Sequence, residues 1–326
     1  MTHIIQKHWL WVRAHLYPPS LTTLAHDNRI METARVMMLY YYSFLLYLSF
    51  QYLMSSTSVR PGFEPLWPVA WATWFSFDYA TTLALVRTLF FVAAFVSVFF
   101  FHTRAARILV FLALVQAHAL ESSFGYINHQ WYMWVYTTLI FVFLPNIWRT
   151  EKDTFENRRL FLLVIWCAQA IVTLSYTMAG LNKMIAAYIQ NLAGEINALS
   201  IGNFSYIVAD WIPKLQHEGL LAPWVINNPE WAWFPFMTLV FVQTFSWWVM
   251  IRTSLQRVWA VFIFAFHIGT YLTMGIEFNP LMMLIIFLFL NSPFIPEKTS
   301  LKRILSDLPL FGLIGRYTLL RPSKNH

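Results

Sequence analysis

The stretch Ser175-Tyr-Thr-Met-Ala-Gly-Leu-Asn-Lys183 is an apolar run that ends in a lysine. An amine at the edge of an apolar helix has two uses. It can snorkel, burying its stem and leaving its charge in water. It can also act as a base, because lysine loses its proton more readily than arginine when desolvated. Spacing alone leaves both open. Other polar or ionisable residues interrupt apolar runs elsewhere, and each is expensive at membrane depth. They are Arg87, His118, Glu121, Asn128, His129, His267 and Glu277, with Gln243 and Ser246 as further polar groups. Tyr176 is counted with them as a pocket residue.

Several chemistries can be weighed from spacing. His118 and Glu121 are one helical turn apart, a geometry that can hold a metal, but no third ligand is evident and no metal is expected. His118 and His267 can equally be buried histidines that bond one helix to the next. Asn128-His129 can cap the start of a helix, and Arg87 can pair with Glu121 or Glu277. Walker, GxGxxG, HExxH and GxSxG motifs are absent. The single cysteine, Cys167, excludes an intramolecular disulfide and a CxxC site.

The elements that must position these residues are membrane spans. Of 326 residues, 58% are hydrophobic, 19% aromatic and only 11% charged. Mean hydropathy is +0.53. Soluble domains carry a charged fraction of about a quarter, and about 20 apolar residues cross a hydrocarbon core. The pattern predicts an all-α integral membrane protein of about eight spans. They are Val36–Leu53, Thr81–Phe101, Ile108–Ser122, Gln130–Pro145, Leu160–Met178, Trp233–Met250, Val258–Thr273 and Pro280–Pro293. Residues 1–35 read as a cytoplasmic or interfacial segment without a cleavable signal peptide, 36–295 as the membrane domain, and 296–326 as a basic cytoplasmic tail. With both termini cytoplasmic, 18 Lys and Arg residues lie in inner segments against 3 in outer ones, with Arg87 inside a span. That is the positive-inside bias. It assigns the net charge of +7 to loops facing anionic lipid and not to a nucleic-acid surface.

Under this topology Arg87, His118, Glu121, Asn128, His129, Lys183 and Glu277 all reach the outer leaflet or its edge. Convergence at one depth predicts one polar pocket. The long stretch 182–230 is rich in aromatics, for example Trp211-Ile212 and Trp224-Val225-Ile226. It is expected to form an extracytoplasmic cap, joined by the 55–80 segment with Trp67, Trp71, Trp74 and Phe75. Asn203-Phe-Ser is a formal glycosylation sequon on that side.

Three pieces, in this order, resemble the vitamin K-dependent γ-carboxylase family, also called the horizontally transferred transmembrane (HTTM) domain. Asn128-His129 followed by Gln130-Trp-Tyr-Met-Trp is similar to the family's Asn-His-x-Tyr segment. Ala179-Gly-Leu-Asn-Lys183 is similar to its Ala-Gly-Leu-x-Lys. Phe266-His267, Gly275-Ile-Glu-Phe278 and Phe287-Leu-Phe-Leu-Asn-Ser-Pro293 resemble its closing block. The likeness covers about residues 35–295. It implies Lys183 as catalytic base, with His129 and Asn128 beside it. It also implies a reduced quinone of the vitamin K or menaquinol type, and O2 and CO2 as co-substrates. In the family the lysine deprotonates the quinol, epoxide formation generates a strong base, and a peptide glutamate is carboxylated. An amine must be neutral to serve as that base, and burial disfavours its charged form. The family's large luminal domain has no counterpart here. The resemblance is therefore to compact bacterial members that mature secreted peptides, in the inner membrane, with a secreted peptide or protein as partner beside the lipid bilayer and the quinone.

Two other classes compete. One is a non-catalytic membrane protein that binds a secreted partner. The other is a transporter, against which stands the lack of paired Gly- or Pro-broken helices near mid-depth. The charge bias carries its own test. Cysteines placed at Ser200 and Lys324 should be labelled from opposite sides of the membrane. Labelling of both from one side contradicts the topology.

Overall fold

Hydrocarbon offers no water to bond N–H and C=O groups, so a chain this apolar closes them within helices. The computed structural model describes residues 20–55, 78–123, 131–194, 197–215 and 217–310, and these are helical with no strand among them. They divide within one long helix into two compact units, the first running Leu21–Ile171 and the second taking the described residues from Val172 on.

The first unit opens with a short helix, Leu21–Ala25, and then α1 (Asn28–Met54), α2 (Tyr79–Phe100), α3 (Arg104–Ser122) and α4 (Tyr132–Phe141). Caps fix the starts. Asp27 accepts from the Arg29 N–H (2.9 Å), Asp78 from the Thr81 N–H (2.9 Å), and Thr103 from the Ala106 N–H (3.4 Å). Helix α5 (Phe155–Leu192) continues for 38 residues into the second unit. There follow α6 (Asn203–Leu215), α7 (Ala222–Asn227), α8 (Pro229–Thr244), α9 (Gln256–Met274), α10 (Asn279–Ile285) and α11 (Leu301–Asp307).

Among the described residues, four helices are long and apolar enough to cross a membrane: α2, α3, α5 and the stretch Thr253–Met274 that contains α9. Helix α2 shows what their outer faces meet. Leu85, Leu89, Val92, Phe95 and Phe99 form one stripe at i, i+3/i+4 spacing and are exposed. A continuous apolar face of that length suits lipid and not water.

The other expected spans are built differently. Helix α1 has 27 residues but carries five tyrosines, of which Tyr41 and Tyr42 are fully buried. The apolar stretch from 130 to 145 yields only the ten residues of α4. The run from 233 to 250 breaks after α8. The backbone turns at Phe245, the Ser246 hydroxyl bonds back to the Val242 carbonyl (2.9 Å), and a one-turn helix Trp248–Ile251 follows. The last run is the 12-residue Asn279–Leu290, whose second half is π-helical.

Three arginines tie one end of the first unit together. Arg107 is buried and donates to the carbonyls of Phe101 (2.8 Å) and Leu144 (2.5 Å). It thus serves the fold and is not a lipid-facing charge. Arg158 donates twice to Asp153 (2.7 and 2.8 Å), and Arg35 donates to Asp153 (2.9 Å) and to the Ile147 carbonyl (3.1 Å). The hydrogen-bonded Arg158 guanidinium, with Arg35 behind it, holds the Asp153 carboxyl below the usual carboxylate range. A depressed folded pKa stabilises above the unfolded value, about 3.9, and that stabilisation is lost as pH falls through the folded value. Asp153→Asn should therefore cost about 1–2 kcal/mol at pH 7. Thermal unfolding in detergent should show the gap to wild type closing below about pH 4. A gap that is constant with pH would remove the carboxylate from the account.

Candidate functional site

Lys183 lies on α5, 24 residues beyond Arg159. At about 1.5 Å per residue that is about 36 Å along the helix.

What holds it there is the seam between α5 and α8. Three contacts run antiparallel along it. The Thr177 hydroxyl accepts from the Trp247 N–H (2.9 Å). Gly180 lies directly on Thr244: a Cβ there would run into the Thr244 backbone nitrogen, with Thr244 Oγ1 at 2.6 Å and its Cα at 2.8 Å. Lys183 Nζ donates to Gln243 Oε1 (3.0 Å) and to the Ala179 carbonyl (3.4 Å). The glycine of Ala179-Gly-Leu-Asn-Lys183 thus has a physical task. It lets two backbones approach closely enough for a lysine and a glutamine 60 residues apart to meet.

The next turns of the same helices continue the polar seam. Tyr176, two turns before Lys183, has its hydroxyl 2.6 Å from His267 Nε2 on α9. The Tyr176 ring packs edge-on to Trp259 at 5.5 Å, and Trp259 Nε1 donates to the Ser246 hydroxyl (2.8 Å). His267 is buried, and its Nδ1 has no hydrogen-bond partner among the described residues. Helix α9 ends at Gly275, whose left-handed conformation (φ 71°) only glycine adopts without strain. The turn it starts brings Phe278 back over the His267 ring, 4.7 Å between centroids. Glu277 in that turn is exposed and accepts from Asn279 (3.2 Å).

Arg87, His118 and Glu121 belong to the first unit. Arg87 donates to the Ser55 hydroxyl (2.9 Å) and stands over the Tyr52 ring at 5.3 Å. Glu121 is within Coulombic reach of Arg87. His118 meets Tyr132 edge-on at 4.8 Å. Tyr52, His118, Glu121 and Trp131 surround a void of about 10 Å³, room for about one water. Asn128 and His129 lie outside the described residues, so the expected lysine–histidine–asparagine pocket has no described geometry. No three His, Cys, Asp or Glu side chains converge among the described residues. No family model matches the chain, and no curated protein or solved structure matches it.

Chemically, Lys183 and Gln243 offer a matched pair. All the partners of the amine among the described residues are neutral oxygens, so no carboxylate holds its proton. The Gln243 amide adds two N–H donors beside that amine. Sequence reasoning singled out Gln243 as a polar group in an apolar run but could not pair it. Nothing in a pattern of period 3.6 reports a contact 60 residues away. The seam predicts opposite effects for two glycines. Gly180→Ala should cost about 1–3 kcal/mol through overpacking. Gly269→Ala has no heavy atom within 4 Å of the new Cβ and should be neutral or gain up to about 1 kcal/mol of helix propensity. Thermal unfolding of both in detergent decides it, and equal effects would refute the close-approach reading.

Proposed function

We propose that the chain is an integral membrane enzyme in which Lys183 is the general base toward a hydroxyl of a reduced quinone. The observation that carries this reading is the Lys183–Gln243 pair, an amine whose described partners are neutral oxygens, beside an amide that carries N–H donors. A lysine whose work is merely to anchor a helix has no need of a glutamine on another helix.

In this reading Lys183 accepts the hydroxyl proton, and the Gln243 N–H donates to the oxygen as charge develops there. Tyr176 and His267 brace the face of α5 that carries the lysine. When bound, the quinol supplies the electrons for oxygen chemistry of the vitamin K-dependent carboxylase type, with O2 and CO2 consumed and a secreted peptide as the acceptor. The same reading has the chain cross a bacterial inner membrane eight times with both termini cytoplasmic. Helices α6 and α7 form part of its outer cap. A second reading is a non-catalytic protein that binds a secreted partner. It is favoured by the exposed aromatics around α6–α8, among them Tyr206, Trp224 and Trp231.

The test is quinol consumption by purified protein. Lys183→Ala should abolish it while leaving insertion intact. Lys183→Arg should fail as well, because guanidinium stays charged and cannot take the proton. Gln243→Leu should lower kcat by about 100-fold, the effect of removing one oxyanion donor. Full activity in the arginine variant would reduce Lys183 to an anchor and leave the partner-binding reading standing.

A further inference from the structure

A cavity of about 490 Å³ lies in the second unit between α8 and α9, closed at one end by α6 and α7. It touches neither Lys183 nor His267. Its inner wall is buried, with Val225, Ala232, Thr270 and Thr273. Its opposite side is open. Thr238 on α8 and Phe262 and Ala265 on α9 line it and are exposed, so the mouth faces sideways, in the direction of the lipid-facing surface of the two helices.

Four polar side chains line it: Thr238, Thr270, Thr273 and the half-exposed Trp224. The Thr238 hydroxyl donates to the Phe234 carbonyl (2.9 Å), that of Thr270 to Phe266 (3.0 Å), and that of Thr273 to Gly269 (2.8 Å). Each proton is spent on the helix's own backbone. Apart from the half-exposed Trp224 indole the walls offer no uncommitted side-chain proton to a head group or to water, and a water needs two to four polar partners. The width comes from small residues on α9: Ala265 and Gly269 line one face, and a Cβ on Gly269 would still meet open space. The length follows from the helices. The lining runs from Phe262 to Met274 on α9, about 18 Å at 1.5 Å per residue, and from Ala232 to Val242 on α8, about 15 Å. One leaflet of a hydrocarbon core is about 15 Å thick.

We infer that this groove is a binding site for one acyl chain of a membrane lipid. The chain enters sideways between α8 and α9 and lies parallel to them. Four features select it: largely apolar walls whose threonine protons are all committed, a mouth on the lipid side, a length of one leaflet, and an axis along the helices, the orientation of acyl chains in a bilayer. The inference is independent of the role of Lys183.

Photolabelling of the full chain in phosphatidylcholine bilayers tests it, with a diazirine on the lipid's acyl chain. Adducts should concentrate on 232–242 and 262–274 relative to the exposed stripe of α2. Gly269→Leu fills the groove with the volume of several methylenes and should lower those adducts by about tenfold, with the α2 adducts unchanged. Thr238→Leu at the exposed mouth should act in the same direction and guards against misfolding of the first variant. Equal labelling of groove and α2 stripe, or labelling that survives both substitutions, overturns the site. Labelling by a diazirine prenol but not by the phospholipid overturns the acyl assignment. Loss of quinol consumption in Lys183→Ala bears on none of these outcomes.

Discussion

A polar side chain drawn into this helical interior must find its partner on a neighbouring helix or on a backbone carbonyl, because neither lipid nor apolar packing will bond it. Most of the described architecture answers that constraint. Lys183 reaches Gln243, Tyr176 reaches His267, and Trp259 reaches Ser246. In the first unit Arg107 takes two carbonyls at helix ends, and Asp153 gathers two guanidiniums. The bonds that hold α5 to α8 and α9 are also those that give the candidate site its geometry. Stability and the proposed chemistry draw on the same few atoms.

Two glycines set the distances. Gly180 removes the side chain that would separate α5 from α8, and Gly275 turns the chain so that Phe278 covers His267. Both belong to the short segments that carry the resemblance to γ-carboxylases. A close approach and a left-handed turn are requirements of geometry. A glycine in either place is consistent with that family and would also be expected in any membrane bundle packed this tightly.

The helical class and the apolar runs were legible because hydropathy and the 3.6 period act locally. Where the runs end was less so. The stretch after Thr244 stays apolar through Trp247-Trp248-Val249-Met250, so composition predicts a continued span. The turn at Phe245 depends on Ser246 bonding backwards and Trp259 bonding to Ser246, a contact with another helix. Of the seven residues expected at one outer depth, Arg87, His118 and Glu121 have their described neighbours in the first unit and Lys183 in the second, Glu277 is exposed, and Asn128 and His129 lie outside the described residues. Gln243 and Tyr52 gain their importance only from residues distant in sequence.

Helix α5 has 38 residues and α8 has 16, about 57 Å and 24 Å of rise. In the proposed eight-crossing arrangement both traverse a single bilayer about 30 Å thick. The long helix must tilt or project, and the short one must draw the lipid inward. The protein would thus carry its own local membrane thickness, greater beside one helix than beside its neighbour. Lipid chain length then becomes a variable that acts on the α5–α8 seam from outside, favouring membranes whose thickness best shares the strain between the two.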